Sequence, residues 1–176
     1  MTNESFGGAS PAVKWSRIGQ NVGFGAAGGL MGFFLSEALI DSDAADMSKN
    51  QMRLETGYWF ALVVLAIGLA IVGAQAFMNR IPPTVENVLI GVGAFLLGGF
   101  ISGYVAQLVY ENMVNWESGP STSDLRIPRA IGWLIAGGLG GGAVGLAFRS
   151  VKRVQNGVMG GAAGGTVGGL LERLAG

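Results

Sequence analysis

Few side chains in this sequence could do chemistry, and they do not assemble into a recognisable catalytic set. The chain has no histidine and no cysteine, which removes the commonest general base and metal ligand and the thiol nucleophile. Asp41, Asp43 and Asp46 could bind a cation through carboxylate oxygens, but the segment lacks the glycine and the distal glutamate of an EF-hand loop. We therefore expect a solvated acidic surface there, no enzymatic activity, no cofactor and no metal site.

Other polar residues lie within or beside apolar stretches. Glu37 is the one acid inside an apolar stretch and could serve a proton or a ligand, although a place at a membrane interface is favoured. Gln75 and Gln107 are expected to form hydrogen bonds between helices. Three basic residues lie in the segment RSVKRVQN, where they either contact anionic lipid headgroups or only set the topology: Arg149, Lys152 and Arg153.

The elements that must position these residues are long apolar segments. Hydrophobic residues make up 50% of the 176-residue chain and charged residues 12%, against about 25% charged in a typical globular domain. A helix needs roughly 20 apolar residues to cross a bilayer core. The sequence therefore predicts an all-α, polytopic transmembrane helix bundle with about five glycine-rich helices, the fifth of them short for a full crossing. The predicted spans are 22–40, 58–78, 88–110, 130–148 and 157–171.

The polar segments set the expected organisation of the chain. Residues 1–20 are expected to be a polar, partly disordered N-terminal segment, and residues 21–176 a single membrane domain. Residues 41–57 are expected to hold a short surface helix. Residues 149–156 are expected to form a tight basic hairpin that makes the fourth and fifth helices antiparallel neighbours.

Glycine is the most informative residue type, because 32 of the 176 residues are glycine, about 18% against a usual level of about 7%. Many of these glycines recur four residues apart and so share one face of a helix. In lipid, small residues at this spacing let helix backbones approach closely, which predicts helix packing; a glycine-lined pore or a sliding surface is the alternative. The predicted packing positions are Gly25, Gly28, Gly29, Gly32, Gly99, Gly103, Gly137, Gly141, Gly145, Gly157, Gly161, Gly165 and Gly169.

The glycine runs also echo one another along the chain. Residues 25–32 read GAAGGLMG, residues 161–168 read GAAGGTVG, and the third helix carries the looser GGFIS. This alignment makes Gly28, Gly98 and Gly164 equivalent. It predicts tandem repeats of a helix pair, in which the fifth helix is the first member of a third pair and lacks its second member.

Several motifs resemble those of a bacterial membrane module. They are the opening stretch GGLMGFFLSE at 28–37, the RAIGW motif at 129–133, and the run from Arg149 to the GGxxGGxxGG stretch at 160–169. The chain resembles the glycine-rich, multi-helix membrane module of bacterial proteins associated with forkhead-associated or von Willebrand type A domains. The resemblance implies a membrane domain that anchors signalling or adaptor domains. The 176 residues hold no phosphothreonine-reading domain, so no binding residues are carried over.

Together these features predict a non-catalytic integral membrane anchor or scaffold subunit within a larger assembly. The alternative from another class is a small channel or transporter. Transporters typically show intramembrane charges or broken helices, whereas this sequence has one peripheral acid, Glu37, and no mid-span proline. The expected partners are the lipid bilayer and other membrane helices, in a homo- or hetero-oligomer, and the net charge of zero predicts no binding to nucleic acid. The expected location is the bacterial cytoplasmic membrane, with the N-terminus inside.

The orientation can be tested in this cysteine-free chain. The short segment 149–156 concentrates basic residues, which favours a cytoplasmic location. The predicted topology places this segment on the same side of the membrane as the N-terminus, so we expect both Lys152 and the N-terminus to be inside. We predict that Lys152→Cys is protected from an impermeant maleimide in intact cells and is labelled after lysis. Ser121→Cys, in the loop 111–129 predicted to lie outside, is the control and should be labelled in intact cells. Labelling of position 152 from outside would overturn the orientation.

Overall fold

The computed structural model describes residues 15–40, 47–80, 84–115, 121 and 125–171. Helices make up 91% of these residues and no strand is present among them, so the all-α prediction is confirmed. The helices are α1 (Trp15–Leu39), α2 (Lys49–Asn79), α3 (Val85–Met113), α4 (Arg126–Ala147) and α5 (Val151–Leu171).

Three of the helices are long and apolar enough to cross a membrane, as judged by length and composition. They are α2, α3 and α4, within Lys49–Met78, Val85–Met113 and Arg126–Ala147. The described part of α1 contributes a shorter apolar stretch, Gly23–Leu39, and α5 does not qualify. By these criteria, three of the about five expected spans qualify. The apolar stretch described in α1 is too short, and the glycines and polar first turns of α5 lower its hydropathy.

Each helix extends beyond the apolar segment that predicted it, because polar residues at its ends also adopt helical conformation. Ser48 begins α2 with a capping box, in which its hydroxyl accepts a hydrogen bond from the Gln51 amide at 3.3 Å and its own amide donates to Oε1 of Gln51 at 2.9 Å. Residues 49–57 are thus the start of α2, and the expectation of a separate surface helix there is wrong. Likewise α1 already begins at Trp15, inside the segment 1–20 that was expected to be partly disordered.

The connection between α4 and α5 is a turn of three residues, shorter than the predicted hairpin 149–156. Arg149 adopts a left-handed conformation with φ 50°, and its amide donates to the carbonyl of Leu146 at 2.8 Å. Ser150 then lies before α5, where its hydroxyl accepts a hydrogen bond from the amide of Arg153 at 3.4 Å. Lys152 and Arg153 therefore lie in the first turn of α5 instead of in a loop.

The helices form an array in chain order, in which each helix packs on the next one. In the described part of the chain, α4 also touches α2, whereas α1 packs extensively on α2 alone and α5 on α4 alone. Phe95 of α3 is 1% exposed and packs with Val64 of α2 and Ala147 of α4, which joins the three central helices. Helix α4 is the most enclosed helix, and its buried residues are almost all glycine and alanine.

Candidate helix-packing site

The closest helix contact is a ladder of glycines between the antiparallel helices α4 and α5. A Cβ added to Gly137 would collide with the carbonyl oxygen of Gly161, and one added to Gly161 would collide with the carbonyl oxygen of Gly137. Gly141 and Gly157 form the same reciprocal pair one turn further along. The ladder ends with Gly165 against the carbonyl of Trp133 and with Gly145 against the backbone of Arg153 and Val154.

The two backbones meet because neither residue of a reciprocal pair has a side chain. A hydrogen on each glycine Cα lies along the direction of the missing Cβ, so it points at the carbonyl oxygen of the partner glycine. Such Cα–H···O contacts contribute about 0.5–1 kcal/mol each. The glycine contacts recur every four residues on both helices, so they lie along one face of each helix. One bulky substitution on that face would therefore separate the two helices along the whole ladder.

Helix α1 packs on α2 through a row of three small residues. A Cβ on Gly28 would lie 2.9 Å from the backbone of α2, and one on Gly32 would lie 2.7 Å from the Cα of Val63. Ser36 continues the row and is fully buried, with its Oγ 2.6 Å from the carbonyl oxygen of Gly32 and 3.3 Å from that of Trp59. The serine hydroxyl is therefore satisfied by backbone and keeps the surface of α1 narrow at this level.

Helix α3 packs on α2 through Gly99 and Gly103. A Cβ on Gly99 would lie 2.7 Å from the Cα of Ala61, and one on Gly103 would lie 2.8 Å from the Cβ of Phe60. Both predicted packing positions of α3 therefore face α2. Towards α4, the same helix presents Gly98, whose Cβ would collide with the Cβ of Ala143.

Two glycines of α2 that the sequence reasoning missed receive aromatic rings from α3. A Cβ on Gly68 would lie 2.6 Å from the ring of Phe95, and one on Gly57 would lie 2.8 Å from the ring of Phe100. The two glycines are eleven residues apart, which is close to three helical turns and places them on one face. That spacing was the available signal, but it is invisible to a search for small residues four apart.

Several glycines of α1 and α5 are not covered by the described part of the chain. Gly29 meets only the side chain of Ile67, at 3.8 Å, and the surroundings of Gly169 lie outside the described residues. For one row of α5 and for one predicted packing position of α1, no described neighbouring atom lies within 4 Å of the Cβ position: Gly160, Gly164, Gly168 and Gly25. With respect to the described residues, α5 thus keeps an open row of three glycines, and α1 keeps one such position, Gly25.

Polar side chains join the helices at the end of the array where α2 and α4 begin. Trp59 donates its indole N–H to Glu37 Oε1 at 3.0 Å, which ties α2 to α1. Arg53 of α2 forms an ion pair with Glu111 of α3 at 2.8 Å, with the two side chains 22% and 9% exposed. Among the described residues, Gln107 donates to Glu111 within α3 at 3.1 Å, in place of the interhelical bond that was expected of it. The interhelical contact is made by the Glu111 carboxylate, which accepts this hydrogen bond from Gln107 and forms the ion pair with Arg53 of α2.

At the opposite end of the array, basic residues in the α4–α5 turn and in the first turn of α5 contact α2 and α3. Arg149 forms an exposed ion pair with Glu86 of α3 at 2.9 Å. Arg153 donates to Oε1 of Gln75 in α2 at 2.9 Å, which is the interhelical bond expected of Gln75. Lys152 is exposed. An exposed ion pair adds little stability, so these contacts orient the connection more than they hold it.

Neither metal chemistry nor a known relative identifies this arrangement. The described residues contain no group of three or more His, Cys, Asp or Glu that could hold a metal ion, and Asp41, Asp43 and Asp46 lie outside them. Comparison with known protein families, with curated proteins and with solved structures finds no match to this chain. The geometry provides a set of close-packing helix faces, and within the described part of the chain the glycine row of α5 remains uncovered.

The glycine ladder can be tested with two neighbouring glycines of α5. We predict that Gly161→Ala lowers the free energy of unfolding by about 1–3 kcal/mol, because its methyl group collides with the backbone of α4. Gly164→Ala is the matched control, since it meets no described atom and gains helix propensity, so it should be neutral or stabilising by up to about 1 kcal/mol. Denaturation in detergent measures both variants. Equal effects of the two substitutions would contradict the ladder.

Proposed function

We propose that this chain is a non-catalytic integral membrane anchor or scaffold that packs through its small-residue helix faces onto other membrane helices in a larger assembly. The observation that carries the proposal is the open glycine row of α5, comprising Gly160, Gly164 and Gly168. We call these three residues the open α5 row.

Membrane insertion is supported by where the apolar residues lie. Of the most apolar 18-residue stretch of each candidate span, only 22% is buried in α2, 28% in α3 and 44% in α4. Large apolar side chains such as Phe77, at 82% exposed, and Leu97, at 66% exposed, therefore face outward. Soluble monomers rarely expose contiguous apolar patches of more than a few hundred Å². A bilayer would solvate this surface.

Assembly is supported by the equivalence of the glycine runs in the sequence. In the repeat alignment, Gly164 of α5 corresponds to Gly28 of α1 and to Gly98 of α3. Gly28 packs on α2 and Gly98 packs on α4, so in both cases this row meets the helix that follows in the chain. The open α5 row thus has the composition and register of a surface that is covered elsewhere in the molecule. A further helix, antiparallel to α5, would complete the pattern.

A bacterial cytoplasmic membrane, with the N-terminus inside, is the proposed location. The end of the array that carries the start of α1 also carries Arg80, Arg149, Lys152 and Arg153. Positive residues in short connections favour the cytoplasmic side. The resemblance to glycine-rich bacterial membrane modules agrees with this location.

The open α5 row predicts a variant that folds but does not assemble. We expect the wild-type chain, extracted from membranes in mild detergent, to migrate in native electrophoresis as a complex larger than the monomer. Gly164→Leu should reduce this complex at least about tenfold, a cost of about 1.4 kcal/mol, because leucine keeps a second backbone away from α5. The variant should remain in the membrane after a carbonate wash and keep its melting temperature.

Gly73→Leu is the matched control. Gly73 is an exposed glycine of α2 with no described neighbouring atom within 4 Å of its Cβ position, but it does not belong to a row of glycines. It should leave the complex intact. A wild-type chain that migrates as a monomer, or a complex that Gly164→Leu leaves unchanged, would refute the scaffold proposal.

A further inference from the structure

A groove opens at the end of the array where α2 and α4 end and α3 begins. Its walls are formed by Val72 of α2, by Asn87 in the first turn of α3, and by three residues at the end of α4 and just after it: Ala147, Phe148 and Arg149. The volume of the groove is about 370 Å³. We call it the α2–α3 groove.

The groove begins where the close packing of the core ends. A Cβ on Gly91 of α3 would lie 3.5 Å from the Cβ of Ala147 and 3.5 Å from the ring of Phe95, so α3 is in contact with its neighbours at this level. Asn87 lies one turn earlier in α3 and is exposed at the groove. Val72 packs against the core cluster that contains Phe95 and Ala147. The groove therefore has an apolar floor and a polar, exposed mouth.

Two arginines bring positive charge to this groove. Arg149 lines it and donates from Nη2 to Glu86 at 2.9 Å, in an ion pair whose side chains are 61% and 73% exposed. A guanidinium has five N–H donors, so this contact leaves donors of Arg149 for a ligand. Arg153 lies against the groove wall, with its guanidinium carbon 4.4 Å from the centroid of the Phe148 ring, and donates to the neutral side chain of Gln75 at 2.9 Å. No carboxylate of the described residues pairs with Arg153.

The charges at this groove favour an anion. Among the described residues in contact there, two guanidinium groups face the single carboxylate of Glu86. An exposed ion pair contributes little stability, so an anion that contacts both arginines can displace Glu86 from Arg149. The hydrogen bond that Asn87 donates to Thr84 uses its backbone amide, which leaves the exposed side-chain amide of Asn87 to donate to the same anion.

The apolar floor and the position of the groove favour an amphiphilic anion. The groove lies at the ends of two candidate membrane spans and the start of a third, where the interface of a bilayer would lie. Basic pockets between membrane helices on the cytoplasmic side bind anionic lipid headgroups. A volume of about 370 Å³ accommodates a headgroup but not long acyl chains. At the same ends of α2 and α3, large apolar side chains are exposed for such chains to follow, among them Phe77 and Leu89, at 82% and 66% exposed.

We propose that the α2–α3 groove binds the phosphate-bearing headgroup of an anionic phospholipid of the cytoplasmic leaflet. Arg149 and Arg153 contact the phosphate, and Asn87 donates a hydrogen bond to the headgroup. Lys152, which the sequence groups with the two arginines, is exposed and does not line the groove, so it takes no part. This inference rests on the proposed membrane location and orientation. The lipid would join α2 and α3 to the α4–α5 turn.

Native mass spectrometry of the full chain, released from detergent with added phosphatidylglycerol or phosphatidylcholine, tests the inference. The wild type should bind phosphatidylglycerol at least about tenfold more tightly than phosphatidylcholine, and Arg149→Gln or Arg153→Gln should abolish that preference. Lys152→Gln is the matched control, because it removes the same charge from a neighbouring position outside the groove. It should change the affinity by less than about twofold.

Glu86→Gln separates a role in lipid binding from a purely structural role of the ion pair. Arg149→Gln and Glu86→Gln break the same pair, so a structural role predicts that both weaken lipid binding. In the proposed site Glu86 competes with the phosphate for Arg149. We therefore expect Glu86→Gln to strengthen the binding of phosphatidylglycerol by at least about twofold, opposite in sign to Arg149→Gln.

Four results would overturn the inference: equal binding of the two lipids by the wild type, equal losses in Lys152→Gln and Arg149→Gln, weaker binding in Glu86→Gln, and equally tight binding of glycerol phosphate without acyl chains. The second result would indicate a diffuse attraction to the basic end, and the last a soluble phosphate ligand. A carbonate wash separates this inference from the proposed function. Release of the chain from membranes would refute the membrane proposal, whereas a chain that stays inserted without lipid preference would refute the groove alone.

Discussion

Two helix backbones can touch only where neither helix presents a side chain, and α4 and α5 meet this condition at the reciprocal pairs Gly137–Gly161 and Gly141–Gly157. In water each glycine within a helix would cost about 1 kcal/mol relative to alanine, so such rows are unfavourable unless close contact offsets them. In the proposed bilayer setting, lipid provides no apolar driving force between helices, and van der Waals and Cα–H···O contacts must hold them together. The glycine rows are thus both the cost of this fold and its means of association.

The same constraint explains why the molecule is an array. Small residues let α1 dock on α2, α3 on both α2 and α4, and α5 on α4, while Phe95 fills the space that the glycines leave among the three central helices. Each central helix therefore has two neighbours in the chain, and each edge helix has one. An array of this kind has edges that can continue, which is the physical basis of the proposed assembly through α5.

The sequence predicted the helical class and the apolar core of the helices, because hydropathy and glycine spacing are local signals. It did not predict the helix ends: Ser48 and Gln51 start α2 well before its apolar segment, and the turn around Arg149 needs fewer residues than the basic segment suggested. Contacts between segments that are distant in the sequence were not predicted. The Arg53–Glu111 ion pair and the rings that fill Gly57 and Gly68 depend on the register between α2 and α3, which no local pattern specifies.

Backbone contact between α4 and α5 in a bilayer is the central claim, and solid-state NMR can observe it without any substitution. For the chain labelled with carbon-13 at glycine and reconstituted in lipid, the structure predicts two through-space cross-peaks. One joins the Cα of Gly137 to the carbonyl carbon of Gly161, and the other joins the Cα of Gly141 to the carbonyl carbon of Gly157. Helical chemical shifts for all four residues without these cross-peaks would contradict it.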